Sequence, residues 1–218
     1  MERRIIYDFV NVILDEAKLH QALVKDKRNP NLMILAASQT KDKTVLTEEG
    51  VERVLNELRK TCDYIICDSP AGIESGAYHA MLFADKAVIC TNPELSSVRD
   101  SDKMIGFISS KAQRSVDGRE PVDQSLLITR YNPERVAKDD MLSVTDIKEM
   151  LGIPVCGVIP ESPDVLMSIN IGRPVVLGQS DAAEAYRDAT ARLLGETREL
   201  RFITPQQKSF FSRLFNKE

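Results

Sequence analysis

An aspartate at the end of a buried strand, with a glycine close behind it, is suited to nucleotide chemistry. The carboxylate can hold a Mg²⁺-bound water, and the glycine lets backbone N–H groups approach a phosphate. One stretch has that form: Tyr64-Ile65-Ile66-Cys67-Asp68-Ser69-Pro70-Ala71-Gly72-Ile73-Glu74. Its short apolar run reads as a strand buried on both faces, as in a parallel sheet. Asp68 then stands at the strand's C-terminal end, where open α/β sheets place their ligands. The same residues also make an ordinary Asp-Ser-Pro turn after a core strand, and the stretch alone does not choose between the two.

Other reactive residues carry less. His20 and His79 are the only histidines, and no Ser/His/Asp arrangement can be built on them. The four cysteines (Cys62, Cys67, Cys90, Cys156) are spaced too irregularly for a zinc site, and none forms C-x-x-C. Three lie in or at the end of expected strands, which reads as buried, reduced thiols in a cytoplasmic protein. A net charge of −4 argues against a general nucleic-acid binder. No apolar run is long enough to span a membrane, and the N-terminus lacks the apolar core of a secretory signal.

The elements that must position these residues follow from periodicity. Residues 3–29 keep a helical period through Phe9, Val10, Ile13, Leu14 and Ala17. Leu32-Met33-Ile34-Leu35-Ala36 reads as a short strand. Thr47 caps a helix with Val51, Val54, Leu55 and Leu58 on one face. After the Tyr64 strand comes a short helix from Ser75 to Phe83, then a strand at Ala87-Val88-Ile89-Cys90. Ser96 or Ser97 can cap a helix carrying Met104, Ile105 and Ile108 inward, and its charged start, Val98-Arg99-Asp100-Ser101-Asp102, reads as a solvated face. Leu126-Leu127-Ile128-Thr129 and Val155-Cys156-Gly157-Val158-Ile159 are further strands. Between them Ser143 and Asp146 suggest a capping box, and Ser180 or Asp181 opens a last long helix ending at Gly195. Strands alternating with helices at βαβ spacing predict a three-layer α/β sandwich around a mainly parallel sheet, one domain over residues 1–195.

Four loops at strand ends now carry motifs: Asp68-Ser69-Pro70-Ala71-Gly72-Ile73-Glu74, Asn92 to Asp100, Thr129-Arg130-Tyr131-Asn132-Pro133 and Val158-Ile159-Pro160-Glu161. Together they resemble the ParA/MinD branch of P-loop NTPases, whose Walker A motif is of the deviant kind, and the similarity runs over essentially the whole chain. The resemblance implies cell-division-site placement by an ATPase that uses ATP and Mg²⁺. It makes Asp68 the catalytic-site Walker B carboxylate, holding Mg²⁺ through water, and puts Gly72 in a switch loop that senses the γ-phosphate. Arg130 and Asn132 fall in the motif that reads the adenine edge, and Pro160 and Glu161 in the segment lining the base. An Asn amide can donate and accept against adenine at once, although Asn132-Pro133 is equally natural as a turn. The face formed by Ser96, Val98, Arg99, Asp100 and Asp102 corresponds to the surface that contacts MinC and MinE, and an ATP-dependent homodimer is implied. A ParA-type DNA-partition ATPase is disfavoured by the acidic balance and by the tail.

One expected motif is missing from these residues. A P-loop needs G-x-x-x-x-G-K-[ST], and none of the ten glycines is followed by Lys. The family carries that motif on its first strand, whereas this sequence opens at Glu2-Arg3-Arg4-Ile5-Ile6, which resembles a region after the second strand. The expectation is therefore a domain without its first strand or strands, from a truncated gene or a misassigned start, with ATP hydrolysis lost because phosphoryl transfer depends on positioning and electrostatics. The competing reading is a non-catalytic membrane-binding adaptor.

After a polar linker, residues 196–207, the chain closes with Lys208-Ser209-Phe210-Phe211-Ser212-Arg213-Leu214-Phe215-Asn216-Lys217-Glu218. On a helix Phe210, Phe211, Leu214 and Phe215 share one face, while Lys208, Arg213 and Lys217 suit anionic lipid. That reads as an interfacial helix, with a C-terminal helix docked on the domain as the alternative. The resemblance places such a tail peripherally on the inner face of the bacterial cell membrane.

Overall fold

The chain meets a left-handed residue early. Asp15 has φ +57°, a conformation that Asp tolerates better than most residues, and it stops the helical pattern of the N-terminal stretch. In the computed structural model, which describes residues 5–38, 45–70, 72 and 75–204, the single long helix expected over residues 3–29 is two short ones, α1 (Phe9–Ile13) and α2 (Leu19–Ala22). Asp8 caps α1 by accepting from the Asn11 N–H. The Arg53 guanidinium takes up the orphan carbonyls at its other end, donating to Val12 O and Ile13 O and pairing with Asp15 at 2.6 Å. The rest of that stretch becomes β1 (Leu23–Lys25), antiparallel to β2 (Met33–Leu35).

The chain divides into two units, Met1–Ala84 and Asp85–Glu218. In the first, α3 (Glu48–Leu58) is capped by Thr47 as expected and lays Val51, Val54, Leu55 and Leu58 into a core with Val12, Ile13, Leu19, Leu82 and Phe83. The last two come from the end of α4 (Ser75–Leu82) and the residue after it. The Tyr64 stretch corrects an expectation. Residues 64–70 form neither strand nor helix, and Ile66 is 91% exposed. A strand exists only through its ladder, and among the described residues no segment pairs with this one. Only Ile65 of the run packs on the core. Cys67 and Cys90 are likewise exposed rather than buried; all four cysteines are free thiols, and Cys156 alone is buried.

The second unit holds the parallel sheet, in the order β3 (Lys86–Thr91), β4 (Asp123–Tyr131), β5 (Val155–Pro160). Between β3 and β4 the chain crosses over through α5 (Leu95–Lys111) and α6 (Gln113–Val116); between β4 and β5 it runs through α7 (Pro133–Val136) and α8 (Val144–Leu151). Parallel strands need such crossovers. Val98, Leu126, Ile128, Ile147 and Ile159 supply the most deeply buried side chains. Ser143 and Asp146 form the expected capping box on α8. Helix α5 is capped two or three residues earlier than expected, by Glu94, so Ser96 and Ser97 lie in its first turn.

Beyond β5 come α9 (Pro163–Asn170), a 3-10 turn (Val175–Leu177) and α10 (Asp181–Leu193), which Ser180 caps. Helix α10 lies close over β5 because position 157 is glycine: a Cβ there would stand 2.5 Å from Ala189 Cβ and 2.7 Å from Leu127 Cδ1. The stretch after α10, expected to be a linker, is instead strapped to that helix. Arg192 donates to the carbonyls of Cys156, Arg198 and Glu199. Buried Asp188 pairs with Arg198 at 3.2 Å and Arg201 at 2.6 Å, and Arg201 also reaches Glu184. Burial works against ionisation of Asp188, but hydrogen bonds from Arg201 and Arg198 override it and hold the carboxyl below its usual range. Phe202 closes the strap by packing near Ile159, Ala182 and Ala185.

Candidate functional site

The C-terminal edge of the parallel sheet is where the chemistry-bearing loops of the second unit converge. Strands β4 and β5 slip twice, between Leu126 and Leu127 with the surplus residue on β5, and between Ile128 and Tyr131 with the surplus residue on β4, so that Tyr131 faces Pro160. The surplus residue on β4 is accommodated around Arg130, whose φ is +57°. A bulge of this kind re-aims the residues after it. Arg130 itself is exposed, Tyr131 is buried, and Asn132 emerges beyond the strand end.

Asn132 is held on three sides. Its Oδ1 accepts from Glu134 N at 3.0 Å and Arg135 N at 3.3 Å, capping α7, and its backbone N–H donates to Met141 Sδ. Its Nδ2 donates to Glu161 Oε2 at 3.3 Å. The Glu161 backbone N–H donates to Tyr131 O at 2.8 Å, so both ends of the Asn132–Glu161 contact are fixed by backbone. Two residues expected to line a base from separate loops are thus in direct hydrogen-bond contact, next to Pro160.

That geometry revises the role of the amide. Its oxygen carries two backbone N–H bonds, which uses both lone pairs. Asn132 therefore offers an incoming ring one remaining N–H rather than a donor and an acceptor together. The turn-forming role and the ligand-facing role are filled by opposite ends of one side chain. Sequence reasoning missed the brace beneath it: Thr129 Oγ1 donates to Asn92 Oδ1 at 3.0 Å, tying the β3 and β4 ends together. Alternation along β4 could have indicated it, because Thr129 falls between buried Ile128 and the bulge.

Asp68 and Gly72 belong to the first unit. Asp68 is exposed, and Ser69 Oγ donates to Pro70 O beside it. Gly72 has φ +88° with open space where a Cβ would stand, a backbone that favours glycine. Among the described residues no three His, Cys, Asp or Glu side chains cluster as a metal site. Asp68 offers one carboxylate, and a carboxylate with water and ligand oxygens is a donor set Mg²⁺ accepts.

On α5, Ser96, Arg99, Asp100 and Asp102 are exposed, with Lys103 Nζ 2.9 Å from Asp100. Val98 does not belong to that face. It is 0% exposed and anchors the helix, so its expected part in partner contact is withdrawn. Lys208, Phe210, Phe211, Arg213, Leu214, Phe215 and Lys217 lie outside the described residues. No helix among the described residues is long and apolar enough to cross a membrane.

No family model matches the chain. It is 58% identical over 218 residues to the septum site-determining protein MinD of Neisseria meningitidis serogroup B, covering 98% of this chain and 80% of that protein. The MinC:MinD cell division protein complex of Aquifex aeolicus is similar in structure, with a TM-score of 0.80 and 38% identity, over 92% of this chain and 78% of that one. The Pyrococcus horikoshii MinD complexed with Mg-ADP shares the fold at a TM-score of 0.72 and 24% identity, over 88% of this chain and 75% of that one.

Proposed function

The chain belongs to the septum site-determining MinD family, and from that membership we propose that it serves division-site placement as a nucleotide-responsive protein on the inner face of the cell membrane. The likeness to the Neisseria protein, over 98% of this chain and 80% of that one, carries this reading. In it the adenine ring of ATP or ADP lies against Pro160 and Glu161 and accepts from the remaining Asn132 N–H, while the Arg130 bulge sets their spacing. Asp68 holds Mg²⁺ through water, and Gly72 supplies a backbone that can turn toward a terminal phosphate. The Pyrococcus relative bound to Mg-ADP supports the choice of nucleotide and ion.

MinC is the partner that the Aquifex complex supports. Its docking face on this chain is Ser96, Arg99, Asp100 and Asp102 of α5, with MinE competing for the same surface. The apolar face of residues 210–215 attaches the protein to anionic lipid, and an ATP-dependent homodimer strengthens that attachment by presenting two tails.

A second reading is favoured by one observation: no Gly-Lys pair occurs in these residues. Residues 1–218 alone then turn over no ATP and act as a membrane adaptor that keeps the MinC face. Co-sedimentation of MinC with the chain on phosphatidylglycerol-containing vesicles tests both. Capture that needs Mg-ATP and falls at least tenfold with the pair Asp100→Ala and Asp102→Ala supports the ATPase reading. Capture without nucleotide supports the adaptor. No capture under either condition overturns both.

A further inference from the structure

Asn132 stands where β4 has run out of partners. The ladder with β3 ends at Thr91 and Ile128, and the last β4 residue paired to β5 is Tyr131. The next backbone N–H, that of Asn132, has no strand to meet and donates to a thioether, with Met141 Sδ 3.2 Å away. Backbone N–H groups away from water ordinarily pair with backbone, polar side chains or water, and a thioether sulfur is a weak acceptor. Its use here singles out position 141.

The fold brings that sulfur to Asn132 from both directions. After α7 the chain reverses in a turn where Asp139 takes φ +58°, and the Lys138 and Asp140 N–H groups both donate to Arg135 O. Just past Met141 it is pinned again. Leu142 N–H donates to Pro93 O at 3.2 Å, Pro93 is among the most deeply buried residues, and Ser143 caps α8. Burial pushes the Tyr131 hydroxyl up in pKa, and a hydrogen bond with the Val144 backbone draws it back. Residues 131 and 132 of the strand end thus both lean on the segment that carries Met141, itself half-buried.

We propose that Met141 is a positioning residue of the adenine site, its sulfur holding the Asn132 backbone so that the side-chain Nδ2 keeps its aim. The proposal rests on the reading of Asn132 as the residue that donates to the ring, and adds what orients it. The two ends of Asn132 are set independently. The Glu134 and Arg135 N–H groups fix Oδ1, and Met141 fixes the backbone N–H. Between those points Nδ2 has one direction left, the one it shares with Glu161. Without the sulfur, the residue pivots on its cap alone and the freed N–H must turn to water. Methionine suits the place because its unbranched chain bends to follow irregular backbone. Leucine fills nearly the same volume without an acceptor, so Met141→Leu isolates the sulfur.

The test titrates Mg-ADP into the full isotope-labelled chain as wild type, Met141→Leu, Asn132→Ser and the two together. Met141→Leu should move the Asn132 amide resonance, leave that of Leu142 in place, and raise half-saturation about fivefold, the worth of one hydrogen bond. In the Asn132→Ser background the same change should add less than about twofold, because Met141 acts through Asn132. Met141→Gln, whose amide oxygen restores an acceptor, should bind within about twofold of wild type. Unchanged half-saturation in Met141→Leu overturns the proposal. So does an equal loss in both backgrounds, which leaves Met141 a part in folding alone, and so does a Gln variant no better than Leu. A Met141→Leu chain that binds like wild type beside a weakened Asn132→Ser sinks the proposal and leaves the base-site reading standing. Binding unaffected by Asn132→Ser, or absent from every chain, sinks that reading and the proposal with it.

Discussion

Asn132 shows how one side chain can serve the fold and a ligand at once, and substitutions can separate the two. Asn132→Ala removes the α7 cap and should cost about 1 kcal/mol in a denaturant titration. Asn132→Ser keeps a capping oxygen but cannot reach Glu161 or an adenine ring. Its stability should stay within about 0.5 kcal/mol of wild type while adenine-nucleotide binding weakens about tenfold, measured by ligand titration. Asp188 offers a pH prediction at the same scale. Its carboxyl is held low by Arg201 and Arg198, so its stabilising effect is complete above the ordinary carboxylate pKa of about 3.9 and is lost as pH falls through the lower folded value. Asp188→Asn should therefore cost about 1–3 kcal/mol at pH 7. The gap from wild type should close in acid unfolding curves below about pH 4.

At the scale of elements, the close approach of α10 to β5 is governed by Gly157. Gly157→Ala drives a methyl group into Ala189 and Leu127, and a loss of about 1–3 kcal/mol is expected from thermal unfolding. Elements that carry their own signals were legible in the sequence. Thr47 and Ser143 each cap the helix they were expected to open, and of the two candidates Ser180 and Asp181 it is Ser180 that caps the last one. The apolar runs at Ile89, Leu126 and Val158 are the three strands of the sheet. Elements that depend on distant partners were not legible. The Tyr64 run has strand composition but no ladder partner among the described residues, and composition cannot supply one. The N-terminal helical period breaks where Arg53, some forty residues away, gathers the carbonyls of Val12 and Ile13. The strap of residues 196–202 reads as polar linker because its attachment runs through arginines, which look like solvated surface in a sequence.

For the whole molecule, the candidate site was half legible. Asn132 and Glu161 were singled out from two motifs nearly thirty residues apart, and their hydrogen bond joins them at the sheet edge. The cap that consumes the Asn132 oxygen, the bulge at Arg130 and the burial of Val98 required three-dimensional packing. The same holds for α9, whose Leu166, Met167 and Ile169 are exposed. The central claim is that the C-terminal edge of β4 and β5 receives the adenine ring. It is tested most directly by titrating Mg-ADP into the isotope-labelled chain and mapping amide shifts by NMR, a readout that tolerates weak binding. The account predicts shifts clustered at residues 129–136 and 161–164 whose half-saturation moves to about tenfold higher ligand in Asn132→Ser. Shifts confined to other residues, or a half-saturation unchanged by Asn132→Ser, would contradict it.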